Sequence, residues 1–153
     1  MILWRLSTKQ HANAFDGGYG LLYDGRWNTA GHAVTYCATS PALCILEKLV
    51  HIEDQTLMPA LVMVQYYAPD DLAIQAIDLE ELDAEWRMNE GLTQVRGDRW
   101  HEKMQSPLLR VPSAIVPIAG SPDVNYVINH RHPDAARIKI VDKNAFELDA
   151  RLF

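Results

Sequence analysis

Residues 24–47 read DGRWNTAGHAVTYCATSPALCILE, and this stretch decides how the rest of the chain is arranged. Its first part combines glycines with an arginine, a tryptophan and an asparagine, and its last residue is a glutamate that ends an apolar run. A buried core does not need so many polar and aromatic side chains in so short a segment. The composition therefore favours a binding site built from a loop, a strand and a helix.

The strand and the helix follow the glycine-rich part. Residues 33–38 alternate enough to predict a strand, with Tyr36 on one of its faces. Ser40 and Pro41 predict a helix start, because serine caps free amides and proline fits the first helical position. We expect this helix to end near Ile52 and to be largely buried, since apolar residues cover most of its circumference.

Short strands dominate the rest of the chain. We expect strands at 2–6, 61–67, 74–79, 108–116, 126–129 and 138–141, a long loop at 19–33, and helices at 80–88 and 92–105, the latter interrupted by Gly97. Strands outnumber helices, and the strongest helix lies between two early strands. The sequence therefore predicts a single α+β domain, residues 1–153, with a central mixed or antiparallel sheet and flanking helices.

Length and composition exclude several classes of protein. A chain of 153 residues buries a core without disulfides, and Cys37 and Cys44 close no disulfide framework, so we expect reduced thiols. No apolar run approaches the roughly 20 residues of a membrane span, and the start of the chain lacks a signal-peptide pattern. We therefore expect a cytoplasmic protein that does not interact with membranes.

The charge balance bears on the ligand. The chain has 14 Lys and Arg against 20 Asp and Glu, a net charge of −6. Proteins that bind nucleic acid directly usually present a basic face, whereas the basic residues here are scattered apart from a small cluster at 130–137. The sequence argues against direct nucleic-acid binding and favours a small anionic ligand.

Arg26 and Tyr36 each have a structural and a functional interpretation. A guanidinium in a glycine-rich loop matches phosphate oxygens, but an exposed arginine could equally pair with Asp24. Tyr36 is either a core aromatic or a flat surface for a ligand ring. Trp27 and Asn28 have the same ambiguity, and Trp27 alone is more typical of packing.

Glu47 lies at the edge of the apolar face of its helix, where a partly buried carboxylate needs a partner. That partner is either His51 or Lys48 on the same helix, or a ligand in a pocket. Ser113 follows a proline in a broken strand, where it satisfies free backbone groups or borders the pocket. The six histidines form no complete metal-binding motif, and we expect no metal.

Taken together, these motifs resemble the RES domain, a family named for an Arg, a Glu and a Ser. The matching pieces, in order, are Trp4-Arg5, the G-R-W-N-x-x-G of residues 25–31, Tyr36, the S-P-x-x-x-x-x-E of residues 40–47, Pro112-Ser113, and the N-x-x-x-N-x-x-H-P of residues 125–133. One departure is His130, where a proline is expected, and residues 68–106 match no motif.

The resemblance implies a fold related to ADP-ribosyltransferases and an enzyme that consumes NAD⁺. It implies that Arg26 binds the NAD⁺ phosphates, that Tyr36 stacks near the nicotinamide, and that Glu47 holds the adjoining ribose. Ser113 would complete the pocket. The further residues that it assigns to NAD⁺ binding are Trp27, Asn28, Asn125 and Asn129. Members are typically toxins paired with a helix-turn-helix antitoxin of the Xre type.

This chemistry needs only one carboxylate. Nicotinamide leaves as a neutral molecule, so no strong general acid is required, and one glutamate stabilises the oxocarbenium-like ribose. Water, phosphate or a side chain of a target protein can then accept ADP-ribose, and the sequence does not choose among them. A catalytically inert module that binds a nucleotide or an antitoxin is the alternative, and a metal-dependent hydrolase is the least favoured.

Overall fold

A seven-stranded sheet forms the centre of the protein, in a computed structural model that describes residues 1–153. The strands are β1 (Ile2–Thr8), β2 (Val34–Ala38), β3 (Leu61–Tyr67), β4 (Ile74–Ala76), β5 (Leu108–Pro112), β6 (Val124–Asn129) and β7 (Lys139–Phe146). The α-helices are α1 (Gly18–Leu22), α2 (Pro41–Leu49) and α3 (Glu90–Lys103). None of the three is long and apolar enough to cross a membrane.

The strands are ordered β4-β5-β6-β2-β1-β3-β7. β4 and β5 run parallel, and the other neighbouring strands run antiparallel. The predicted α+β class with a mixed central sheet and flanking helices is therefore confirmed. Cys37 and Cys44 are both free and buried, and burial raises the pKa of the Cys44 thiol to about 12.

The two faces of the sheet have different coverings. One face, which we call the loop-covered face, holds the largest core cluster: Leu3, Ala12, Cys37, Val64, Tyr66, Ala68, Leu72, Leu108, Tyr126, Ile128, Ala135 and Ile138. Connecting segments near Leu72 and Ile138 close over it. The opposite face, which we call the helix face, carries Tyr36 and Ala38 of β2 and, opposite them in register, Val127 and Asn125 of β6.

Two separate clusters cover the helix face. α2 packs Leu43 and Cys44 against Ala38 and Met63, on the side of β1 and β3. Three tryptophans pack on the side of β5 with Val34, Leu109, Val111 and Val127. Trp27 comes from the loop between α1 and β2, Trp86 from the segment before α3, and Trp100 from α3 itself. The helix face thus holds α2 at one side and α3 at the other, with β2 and β6 between them.

The prediction that α2 is largely buried is wrong, although its start and approximate end are confirmed. Ser40 Oγ accepts a hydrogen bond from the Leu43 amide, as an N-cap residue does. Only Leu43 and Cys44 are buried, whereas Leu46 and Val50 are 41% and 62% exposed. The helix rests on the sheet with one face, and nothing in the chain covers the other.

The segment expected to be a long loop, 19–33, contains most of α1. Gly17 adopts a left-handed φ of 76° before this helix, and the Asp16 carboxylate accepts a hydrogen bond from the Gly18 amide. The amide of Asn28 donates to the carbonyls of Gly20 and Tyr23, so a residue eight positions later supports the helix. This contact is tertiary, and local composition does not reveal it.

The helix expected at 80–88 does not form, because side chains there hold the backbone in turns. A short 3₁₀ turn spans Leu79–Glu81, and the Asp83 carboxylate accepts from the Glu85 amide. Trp86 is only 5% exposed and packs against Trp27. Because the Trp86 ring is buried, the segment that precedes α3 is held in place.

The strands β4, β5 and β7 end at residues other than those predicted. The strand expected at 74–79 ends at Ala76, and the one expected at 108–116 ends at Pro112. The strand expected at 138–141 continues to Phe146, because it pairs with the whole of β3. Most residues of β7 are exposed, so its sequence lacks the alternation of apolar and polar residues that predicts a strand.

Gly97 does not interrupt α3, which is continuous from Glu90 to Lys103. A side chain at this position would overlap the carbonyl oxygen of Trp27. The glycine therefore allows the loop that carries Arg26 to lie directly on the helix.

We predict that Gly97→Ala lowers the free energy of unfolding by about 1–3 kcal/mol, because the added methyl group forces the loop away from the helix. Urea unfolding measures the change. Gly91→Ala is the matched control, since this exposed glycine of the same helix meets only the side chain of Asn89. Equal stability of the two variants would contradict this packing.

Candidate functional site

Glu47 projects from α2 and is held through one oxygen of its carboxylate. Ser113 Oγ donates a hydrogen bond to Glu47 Oε1 at 3.0 Å, and Asn125 Nδ2 donates to the same oxygen at 2.7 Å. Neither His51 nor Lys48, the partners considered from the helix alone, pairs with it. The carboxylate is instead fixed by the ends of β5 and β6.

The direction of the Ser113 hydrogen bond follows from the other bonds of this hydroxyl. Ser113 Oγ accepts from the amides of Ile115 and Val116, at 3.0 and 3.2 Å, and the residue is completely buried. A hydroxyl has two acceptor lone pairs and one hydrogen. With both lone pairs used, the single hydrogen goes to Glu47, so Ser113 serves the backbone turn and the carboxylate together.

The second carboxylate oxygen of Glu47 remains available. It receives no hydrogen bond from the protein, and no Lys, Arg or His nitrogen lies within ion-pair distance of the carboxylate. The buried side-chain oxygens and nitrogens without a partner are Thr8 Oγ1 and His101 Nδ1, so Glu47 Oε2 is reached by solvent. Glu47 thus presents an uncompensated anionic oxygen in a fixed position.

Tyr36 ties the central sheet to the glycine-rich loop. Its hydroxyl donates to Asn28 Oδ1 at 2.6 Å and accepts from the Trp27 amide at 3.0 Å. Burial is the main cause that raises the pKa of this phenol far above its usual value of 10. The hydroxyl is therefore neutral at physiological pH, and its hydrogen is already committed to Asn28.

Arg26 turns away from Asp24 and towards the segment before α3. Its guanidinium donates to the carbonyls of Trp86 and Arg87 at 3.1 and 3.4 Å, lies 5.7 Å from the centre of the Trp86 ring, and is 3.5 Å from the Glu90 carboxylate. Asp24 instead accepts from the Ala30 amide. The local pairing considered from the sequence is thus absent.

α3 holds the loop around Arg26 through a row of four residues. Thr93 donates to the carbonyl of Arg26, Gln94 to that of Gly25, Gly97 touches Trp27, and Asp98 accepts from the amide and hydroxyl of Thr29. Their spacing places them on one side of a helix. This row fixes the position from which the Arg26 side chain leaves the backbone.

The sheet register connects the two halves of the site. Tyr36 lies opposite Val127, and Ala38 lies opposite Asn125, so Tyr36 and Asn125 are diagonal neighbours on the helix face. Such neighbours are about 7–8 Å apart. Of the candidate residues, Tyr36 and Asn125 are thus neighbours on the helix face, and Glu47 and Ser113 join them through the hydrogen bonds of the Glu47 carboxylate. The loop of Arg26 reaches Tyr36 through the Trp27 amide.

Three further candidates lie in the interior. Trp27, Asn28 and Asn129 are 3%, 1% and 0% exposed. Asn129 donates to the carbonyl of His101 and accepts from the Arg131 amide, and it is four residues along β6 from Asn125, roughly 13 Å. The side-chain amides of Asn28 and Asn129 are hydrogen-bonded within the protein, and Trp27 packs in a core cluster, so all three shape the surroundings of the site.

The histidines do not gather into a ligand set, since no three His, Cys, Asp or Glu side chains converge. His130 lies on the loop-covered face, where its Nε2 is 2.8 Å from Thr35 Oγ1 and its ring packs edge-on against Phe15. Burial lowers the pKa of His130 to about 4. His130, at the position where the resemblance led us to expect proline, is thus a half-buried imidazole whose charged form is disfavoured.

Sequence reasoning missed the contribution of residues 86–98. Trp86 and Glu90 contact the guanidinium of Arg26, and Thr93 and Asp98 hold its loop. The one available signal was a glycine inside a helical pattern, which often marks a close backbone contact.

Comparisons with known proteins find similarity along most of the chain. The family model described as RES domain matches residues 2–149. A protein of Pseudomonas putida strain KT2440 named Toxin Res is 39% identical over 154 residues and covers 100% of both chains. A protein of Sphingobium sp. strain YBL2 named Prs ADP-ribosylating toxin is 31% identical over 156 residues, covering 97% of this chain and 94% of that protein.

The fold also resembles a solved structure. A chain in the crystal structure of the MbcT–MbcA toxin–antitoxin complex of M. tuberculosis superposes with a TM-score of 0.75. The similarity covers 95% of this chain and 83% of that one, at 17% sequence identity. At this identity the comparison supports the fold alone.

We predict that Tyr36→Phe lowers the free energy of unfolding by about 1–3 kcal/mol, because it leaves the buried Asn28 Oδ1 without a donor. Chemical denaturation tests this. Tyr19→Phe is the control, since Tyr19 is 64% exposed and its hydroxyl bonds to nothing. A loss in Tyr36→Phe no greater than in the control would mean that the hydroxyl does not hold the loop.

His130 should make stability depend on pH. Its folded-state pKa of about 4 lies below the usual histidine pKa of 6.5, so between these two pH values the unfolded chain binds more protons. The stabilisation is fully present above pH 6.5 and is lost as pH falls towards 4. We predict that His130→Gln reduces the fall in unfolding free energy between pH 7 and 4.5, whereas His11→Gln, at an exposed site, leaves it unchanged.

Proposed function

The chain belongs to the RES domain family, and on that basis we propose that it is a toxin that cleaves the nicotinamide–ribose bond of NAD⁺. One observation carries the proposal. Glu47 is anchored through Oε1 by two neutral donors, while Oε2 is accessible and has no cation beside it. Such a carboxylate is already oriented, and its negative charge is available to interact with a ligand.

The chemistry suits a single fixed carboxylate. When the bond between ribose C1 and the pyridinium nitrogen breaks, both bonding electrons go to nitrogen, and nicotinamide departs as a neutral molecule. Positive charge then develops on the ribose. Glu47 stabilises this charge, and because Ser113 and Asn125 already orient the carboxylate, little reorganisation is needed in the transition state.

The other residues have distinct roles in this proposal. Arg26 binds the pyrophosphate, because a guanidinium pairs well with phosphate oxygens. Tyr36 offers its ring to the nicotinamide end, and its neutral, committed hydroxyl takes no part in proton transfer. Trp27, Asn28 and Asn129 act from the interior by holding the loop and β6 in place.

The acceptor of ADP-ribose is the next part of the proposal. A relative 31% identical to this chain carries the name ADP-ribosylating toxin, which supports transfer to a target protein. Water or phosphate in place of the target would give free ADP-ribose or its 1-phosphate. Mass analysis of NAD⁺ incubations with cell lysate separates these outcomes, since transfer adds one ADP-ribose to a protein.

We propose that the toxin acts in the bacterial cytoplasm and is neutralised by an antitoxin encoded beside it, of the Xre helix-turn-helix type. The solved complex that shares its fold is a toxin–antitoxin complex. Because this chain has a net charge of −6, we expect any contact with DNA to be made by the partner protein.

We predict that Glu47→Gln reduces nicotinamide release by about 10²–10³-fold, because it removes the charge that stabilises the developing cation. The fold should persist, since the glutamine oxygen still accepts from Ser113 and Asn125. Chromatographic quantification of nicotinamide measures the rate, and circular dichroism checks the fold.

Glu53→Gln is the matched control, because Glu53 is an exposed acid shortly after α2 and should leave the rate unchanged. A wild-type protein that binds NAD⁺ tightly in calorimetry and releases no nicotinamide would instead be an inert binding module. Equal rates for wild type and Glu47→Gln would remove Glu47 from the mechanism.

A further inference from the structure

We propose that Glu90 occupies the place of a substrate phosphate at Arg26 in the free protein, and that this competition lowers the affinity for NAD⁺. The inference rests on the proposed function, because it concerns the same arginine. It adds a residue, Glu90, that belongs to none of the matched motifs. Glu90 lies within residues 68–106, the part of the chain in which no motif was matched.

The groups around Arg26 divide into fixed and releasable partners. The carbonyls of Trp86 and Arg87 accept from Nη1, and the Trp86 ring lies 5.7 Å from the guanidinium carbon. These groups are held in place, since Trp86 is 5% exposed and its amide donates to the Asp83 carbonyl. They orient the guanidinium whether or not a ligand is present.

Glu90 is the releasable partner. Its Oε1 lies 3.5 Å from Arg26 Nη2, its side chain is 55% exposed, and it makes no other side-chain hydrogen bond or ion pair. A carboxylate and a phosphate compete for the same N–H groups at the edge of a guanidinium. Because Arg26 keeps its other partners, Glu90 can swing into solvent and leave an oriented cation for the pyrophosphate.

The contact is specific within a strongly acidic segment. Residues 78–90 contain six acids: Asp78, Glu80, Glu81, Asp83, Glu85 and Glu90. Glu90 alone among them pairs with Arg26, since Asp78 pairs with Arg110 and Glu81 with Arg96. Glu85 is exposed and its carboxylate has no partner, so it carries the same charge nearby without the contact.

The test compares Glu90→Gln with Glu85→Gln, two substitutions that remove one negative charge from the same segment. Nicotinamide release gives KM and kcat for NAD⁺, and calorimetry with ADP-ribose gives a dissociation constant without turnover. An exposed ion pair is weak, so we expect KM and the dissociation constant to fall about two- to five-fold in Glu90→Gln, with kcat unchanged. Glu85→Gln should resemble wild type.

Salt provides a second readout. The advantage of Glu90→Gln over wild type should shrink between 0.05 and 0.5 M salt, roughly, because an exposed contact is screened. An affinity in Glu90→Gln equal to that in Glu85→Gln would overturn the inference while leaving the proposed function intact. A wild-type protein that neither binds nor cleaves NAD⁺ would overturn both.

Discussion

The hydrogen bond from Tyr36 to Asn28 joins the sheet to the loop of Arg26, and the arrangement of the site depends on it. At 2.6 Å it satisfies a side chain that is 1% exposed. The amide of Asn28 in turn supports two carbonyls at α1, so one buried side chain couples the strand, the loop and the short helix. From the other side, α3 holds the same loop at Gly97 and Asp98.

The two charged groups of the site, Glu47 and Arg26, are held in place by different kinds of contact. Glu47 is fixed by neutral donors that use one of its oxygens and cancel none of its charge. Arg26 is fixed by carbonyls and an aromatic ring, with a carboxylate at 3.5 Å that is exposed and releasable. The anion is thus permanently available, whereas the cation is partly occupied until a stronger anion replaces Glu90. In the proposed function, Glu47 faces the nicotinamide–ribose end of NAD⁺ and Arg26 faces its pyrophosphate.

Local patterns in the sequence predicted what is local in the structure. Ser40 and Pro41 start α2, and the alternation around Tyr36 predicts β2 and its faces. The partners of Glu47 were beyond such reasoning, because Ser113 and Asn125 are 66 and 78 residues away. The same holds for Arg26, whose partners lie about 60 residues on. From the sequence, Gly97 indicates an interruption of the helix. The structural need for glycine there is the close approach of the Trp27 carbonyl, a tertiary contact that local sequence does not reveal. The exposure of Leu46 likewise depends on what the remaining chain leaves uncovered.

The central claim is that Glu47 and Arg26 bind one NAD⁺ molecule across the strip formed by β2 and β6. A crystal structure of the wild-type protein with ADP-ribose tests this most directly. We expect a ribose hydroxyl within hydrogen-bond distance of Glu47 Oε2, and pyrophosphate oxygens at Arg26 in place of the Glu90 carboxylate. ADP-ribose bound elsewhere, with Glu47 Oε2 still facing solvent and Glu90 still on Arg26, would contradict it.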